Sequence, residues 1–151
     1  MNDRTITVAA DSDSAEKRWI GALREALGDE AGSFDWTSAR DSADGEWGAI
    51  LFVDGDRSDL HRFLGTIDRH GRSVFLIWSD DSRDWDWAGE SADRVDDLVV
   101  YPFRRAELRS KFRLHQHLRL WSEVGELHRS FNELLGALDE AHAKGVVHRD
   151  L

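Results

Sequence analysis

The sequence predicts an α/β fold built on a five-stranded parallel sheet. Five short apolar runs of strand length alternate with segments of helical periodicity along the 151 residues. Right-handed crossovers assemble that pattern into a parallel sheet covered by helices. The runs at 49–53 (Ala-Ile-Leu-Phe-Val) and 74–78 (Val-Phe-Leu-Ile-Trp) are apolar without alternation, as in strands buried on both faces. Asp11, Asp54 and Ser79 lie at the ends of three runs, so polar side chains would line the carboxyl edge of the sheet, where ligands of open α/β sheets sit.

The first strand is read at 5–10 and closes at Asp11. Ser12, Asp13 and Ser14 offer N-cap oxygens to a helix in which Trp19, Ile20, Leu23 and Leu27 share a face. Gly28 and Gly32 punctuate its end. A weaker strand at 33–38 alternates Phe34 and Trp36, and the polar stretch 39–45 leaves room only for a short helix. After the third run, Asp54-Gly55-Asp56 makes a turn. Ser58 or Asp59 then caps a helix with Leu60, Phe63, Leu64 and Ile67 inward, stopping near Gly71. The Asp-rich segment 82–97, with Trp85 and Trp87, makes a poor regular helix. Its two rings either cover the sheet in place of a helix or anchor an interface. Residues 98–101 form the fifth strand, and Pro102 opens an amphipathic helix whose Leu108 and Phe112 face the sheet.

Composition narrows the function. Hydrophobic residues make up 40% of the chain and seven are Trp, which excludes disorder. With no Cys, disulfides and thiolate metal sites are excluded and an intracellular, cytoplasmic location is expected. No apolar run reaches the roughly 18 residues of a membrane span, and Met1-Asn2-Asp3-Arg4-Thr5 lacks a signal-peptide pattern. The formal net charge is −10, with 20 Asp against 3 Lys. That charge disfavours phosphate contacts, so nucleic acid is not expected as a partner. An Asp-rich, Lys-poor surface suits a halophile at high ionic strength; a high-GC genome is the alternative reading.

The stretch Val99-Val100-Tyr101-Pro102-Phe103 resembles the end of the last strand of a two-component receiver domain, where the pattern is apolar, apolar, Lys, Pro, Phe. The resemblance covers about residues 4–119 and implies a flavodoxin-like sheet in the order 2-1-3-4-5, with a cis Tyr101-Pro102 bond. It implies Asp54 as the phospho-acceptor, Asp11, Asp54 and Asp56 as ligands of a Mg²⁺ ion, and Ser79 as a contact of the phosphoryl group. Three positions depart from the family: Ala10 replaces the first of two metal-binding acids, Leu98 the switch aromatic, and Tyr101 the Lys that pairs with the phosphoryl group. Phosphoryl transfer needs cations to offset developing charge, so phosphorylation chemistry is expected to be lost. The bland alternative is that Asp11 and Asp54 are polar strand ends feeding turns.

The helical pattern continues past the usual receiver end. Leu120, Val124, Leu127, Phe131, Leu134, Leu138 and Ala141 recur at alternating spacings of four and three, a heptad seam that predicts a homodimeric coiled coil. The alternative is a helix folded back on its own domain. The reading divides the chain into a receiver-like domain (1–119), a helical extension (120–144) and a tail (145–151). That tail, with residues from Ala141 onward, resembles the approach to a Ser/Thr kinase catalytic loop, with His148-Arg149-Asp150 in place. No Gly-rich loop precedes it and no Asp-Phe-Gly element follows, so no kinase activity is expected; truncation of a longer protein or a gene-fusion relic would explain the tail.

Other groups point to less. His115 and His117 flank Gln116 and would diverge on a helix, and His61, His70 and His128 read as surface residues. Arg104, Arg105, Arg109, Lys111, Arg113 and Arg119 read as a solvated helix face. The expected function is that of an atypical receiver domain in signal transduction, not an enzyme, acting through contact with an unidentified signalling protein and through dimerisation. The alternatives are a phospho-accepting response regulator using Asp54 and Mg²⁺, and the N-terminal piece of a kinase-related signalling protein.

Overall fold

The computed structural model describes residues 3–42, 46–79 and 92–119. The chain divides into two compact units, Met1–His115 and Gln116–Leu151. The first holds a five-stranded sheet in the order β2-β1-β3-β4-β5, formed by β1 Thr5–Ala9, β2 Asp35–Ser38, β3 Ile50–Asp54, β4 Ser73–Ser79 and β5 Asp97–Tyr101. Every neighbouring pair is parallel, and the order is the expected one.

Strand alternation sends successive residues to two separate cores. Ile6, Val8, Ile50, Phe52, Phe75, Ile77 and Val99 pack on one face with Trp19, Leu23 and Leu27 of α1 (Asp13–Leu27) and with Leu108 and Phe112 of α3, residues 105–119. Leu51, Val53, Val74, Leu76 and Trp78 pack on the other face with Leu60, Phe63 and Leu64 of α2 (Leu60–Thr66). Each fully buried large aliphatic side chain contributes about 1.5–3 kcal/mol relative to exposure.

Helix α1 begins where the sequence places it: Ser12 is the N-cap and its hydroxyl accepts from the Ala15 N–H at 3.1 Å. It ends at Gly28, whose φ of 64° is one that L side chains rarely adopt and whose N–H bonds the Arg24 carbonyl. A 3-10 turn, Gly28–Ser33, follows and delays β2 to Asp35, two residues later than expected. Phe34 is thereby left outside the strand, where its ring packs edge-on against Phe112 at 5.1 Å.

The expected cap of α2 is not made. Ser58 sends its hydroxyl to Asp11, and Asp59, the N-cap residue by position, gives its carboxylate to Arg57 and Arg62. Both oxygens find stronger partners than a helix N–H, because these partners are charged. Helix α2 ends at Thr66, five residues before Gly71, and Ile67 is buried just beyond it. Among the described residues of the 82–97 stretch, Ala92–Arg94 is a 3-10 turn; Trp85 and Trp87 lie outside the described residues. So do the seam residues Leu120, Val124, Leu127, Phe131, Leu134 and Leu138, and the kinase-like tail. Among the described residues no helix is long and apolar enough to cross a membrane.

Candidate functional site

Asp11, Asp54 and Tyr101 all reach the carboxyl edge of the sheet, at the ends of or just past β1, β3 and β5. Asp54 is the last residue of β3 and is only 8% exposed. Its even-numbered register, shared with Ile50 and Phe52, turns it toward the face covered by α1. There one carboxylate oxygen, Oδ2, accepts a hydrogen bond from the Trp19 indole N–H at 2.9 Å. The other, Oδ1, accepts from the backbone N–H of Asp56 at 2.9 Å, which closes the turn after the strand. Gly55 between them is required by space: a Cβ there would lie 2.6 Å from the Ile77 carbonyl, which already accepts the Gly55 N–H.

Tyr101 packs over the same indole. Its ring stands edge-on to Trp19, with centroids 5.1 Å apart at 84°, and edge-on to Phe103 at 5.2 Å. Trp19 and Phe103 are 5.9 Å apart. The three rings form a continuous aromatic cover next to Asp54, in the geometry their quadrupoles favour. The Tyr101–Pro102 bond is cis, as the receiver resemblance implies. Ser79 ends β4 and lies opposite Tyr101 in register. Leu98, at the position of the switch aromatic, packs partly buried with the α2-side core instead of reaching the site.

One turn before Trp19 on α1 lies a second buried carboxylate. Glu16 is fully buried; its Oε2 accepts from the Ala10 N–H at 3.0 Å and its Oε1 from the Arg40 N–H at 3.4 Å. The Arg40 side chain lies 3.8 Å from the same oxygen and also donates to the Asp11 carbonyl. Arg57 donates to the Ala10 carbonyl at 3.3 Å and stacks on Phe63 at 3.8 Å. Burial pushes the Glu16 carboxyl up from its ordinary value, against the lowering pull of the Ala10 and Arg40 N–H groups and of the Arg40 and Arg57 charges.

These positions bear on the expected Mg²⁺ ion. Both oxygens of Asp11 accept from the Ser58 N–H, at 3.1 and 3.0 Å, and Oδ1 also takes the Ser58 hydroxyl. Both Asp54 oxygens are hydrogen-bonded as described, and Ala10 supplies no carboxylate. Among the described residues no group of three acids, imidazoles or thiols gathers as metal ligands. The oxygens of Asp11 and Asp54 thus meet protein donors, and without the acid that Ala10 replaces they make a poor donor set for the ion.

Sequence periodicity marked Trp19 as core but said nothing of its N–H. Glu16 carried a legible signal that went unused: it precedes Trp19, Ile20 and Leu23 by three, four and seven residues, so it falls on the apolar stripe. Arg57 and Arg40 had none, since both lie in loops. His115 diverges from His117 and pairs with Asp97 at 2.9 Å. The basic stretch is only partly a solvated face: Lys111 bonds the Leu98 carbonyl at 2.5 Å, Arg113 pairs with Glu30, and Arg105 reaches Glu25 at 3.9 Å.

No family model matches the chain, and no curated protein matches it. Solved structures do. The response regulator receiver modulated diguanylate cyclase from Pelobacter carbinolicus is similar over 80% of this chain and 97% of that one, with 16% identity and a TM-score of 0.56. The adenylate cyclase from Rhodopirellula baltica is similar over 90% of this chain and 98% of that one, with 13% identity and a TM-score of 0.55. At these identities the likeness establishes the fold. The five-stranded parallel sheet in the order 2-1-3-4-5 is the flavodoxin-like fold of receiver domains.

Proposed function

We propose that this chain is an atypical receiver domain that works in cytoplasmic signal transduction through protein–protein contact, without phosphorylation of Asp54. The observation that carries this reading is the Trp19 indole bound to Asp54 Oδ2, beneath the ring of Tyr101. A carboxylate that attacks a phosphoryl group needs a free oxygen aligned with the leaving group and cations to offset the charge that develops. Here one oxygen holds an indole and the other a backbone N–H. A tyrosine, Tyr101, stands at the position of the family's lysine and offers no ammonium group. The signal would pass by contact, and the heptad seam from Leu120 to Leu138 supports pairing with a second copy.

The test is treatment with acetyl phosphate or beryllofluoride in the presence of Mg²⁺, read by intact mass and by amide NMR shifts. No mass increase and no shifts around Asp54 are expected. A phosphoryl adduct lost in Asp54→Asn would establish the phospho-accepting reading instead. Light scattering at high protein concentration tests the pairing: a dimer is expected, and a monomer in low and high salt would defeat it.

A further inference from the structure

The Trp19 indole touches two things at once. Its N–H is on the buried carboxylate of Asp54 at 2.9 Å, and its ring meets the edge-on ring of Tyr101 at 5.1 Å. These two neighbours differ in what they can sense. Asp54 is 8% exposed and closed in, whereas Tyr101 is 40% exposed and, among the described residues, is one of few large hydrophobic side chains at the surface. Trp19 itself is 7% exposed and belongs to a helix fixed by the buried Leu23 and Leu27. The indole therefore has little freedom except to keep or to leave its acceptor. A buried indole N–H without an acceptor is disfavoured, so loss of the Asp54 oxygen would turn the ring, and a ring at 5.1 Å cannot turn without disturbing the one packed against it.

We propose that Trp19 couples the Asp54 carboxylate to the exposed ring of Tyr101, so that a change at the carboxylate is read at the protein surface. The linkage is reciprocal: a partner that grips Tyr101 alters the hydrogen bond on Asp54 by the same coupling. The relay runs from β3 through α1 to β5. It bypasses Leu98, which packs on the opposite face of the sheet. It goes beyond the proposed function, because it holds whether Asp54 is modified, protonated or simply replaced.

Tyr101 is the only tyrosine in the chain, so the full-length protein grown with 3-fluorotyrosine gives one ¹⁹F resonance from this ring. Asp54→Ala is expected to move that resonance by more than its linewidth. In a Trp19→Phe background the effect of Asp54→Ala is expected to vanish. An unmoved resonance in Asp54→Ala or an equal displacement in the Trp19→Phe background would each overturn the proposal. Should Asp54→Ala fail to fold, Tyr101→Leu supplies the reverse reading. It is expected to shift the Trp19 indole ¹⁵N–H cross-peak, identified by its loss in Trp19→Phe, and an unmoved cross-peak overturns the coupling.

Discussion

Replacing Trp19 with Phe isolates the energy of one hydrogen bond at the site. The substitution keeps an aromatic ring against Tyr101 and Phe103 but removes the N–H that Asp54 Oδ2 accepts at 2.9 Å. A hydrogen bond to a charged group is worth about 1.5–3 kcal/mol. The smaller ring also gives up a few tens of Å² of buried surface, or roughly 1 kcal/mol at about 25 cal/mol per Å². Asp54 is 8% exposed, so water replaces the lost donor poorly. The sum is a loss of about 3 kcal/mol; Asp54→Asn should destabilise as well, because its single amide oxygen can accept only one of the two N–H groups that Asp54 serves. Urea unfolding followed by circular dichroism measures both as shifts of the midpoint at constant slope. In the double variant Trp19→Phe/Asp54→Ala the two losses should fail to add by about 1–3 kcal/mol, the signature of a direct contact. A Trp19→Phe loss under about 0.5 kcal/mol, or strict additivity in the cycle, would refute the account of this bond.

Three further outcomes follow from buried and half-buried charges. The Glu16 carboxyl is raised above its ordinary 4.5 by burial, so its contribution to stability is full below pH 4.5 and is lost as pH rises through the folded value; Glu16→Gln should flatten that decline in urea midpoints measured from pH 4 to 7. Burial would raise the Asp97 carboxyl, but the bonds from His115 and the Leu98 N–H and the charge of Lys111 outweigh it and hold it below 3.8. Its contribution is therefore present above pH 3.8 and lost as pH falls through the folded value, and Asp97→Asn should remove that part of the acid limb. Arg72 is buried and donates to the carbonyls of Gly48, Trp47 and Asp68 at 2.9, 2.9 and 2.6 Å. Arg72→Met strands all three, and thermal or urea unfolding should show a loss of about 2–4 kcal/mol after the guanidinium's own desolvation is credited.

The sheet was legible because burial on both faces leaves no polar residue between Ile50 and Val53 in β3 or between Val74 and Trp78 in β4, a pattern that a covered parallel sheet explains. The start of β2 was misplaced because Phe34 fits a strand pattern equally well as a residue packing sideways from a turn. At the site, Asp54 was found from its place at the end of a strand, and Tyr101 through the resemblance of Val99–Phe103 to the receiver pattern. Trp19 was assigned to the right face, but periodicity reports which side of a helix is inward and not which acceptor an inward N–H meets. Ser58 and Asp59 were read as caps from residue type alone; their oxygens went to Asp11, Arg57 and Arg62, partners more than a turn away in space or charged.

The division of the sheet into two cores places a constraint on the length of its strands. Tyr101 shares its side of β5 with Val99, and Asp54 shares its side of β3 with Phe52, so both meet Trp19 by parity. Substitution changes one contact at a time. Adding or deleting a single residue within β5 would hand the Trp19 side to a different register of side chains and send Tyr101 toward the α2 layer. The relay at the carboxyl edge is thus encoded in odd and even position as much as in residue identity. A length change in a loop outside the strands leaves this parity unchanged, whereas one between Asp97 and Tyr101 does not.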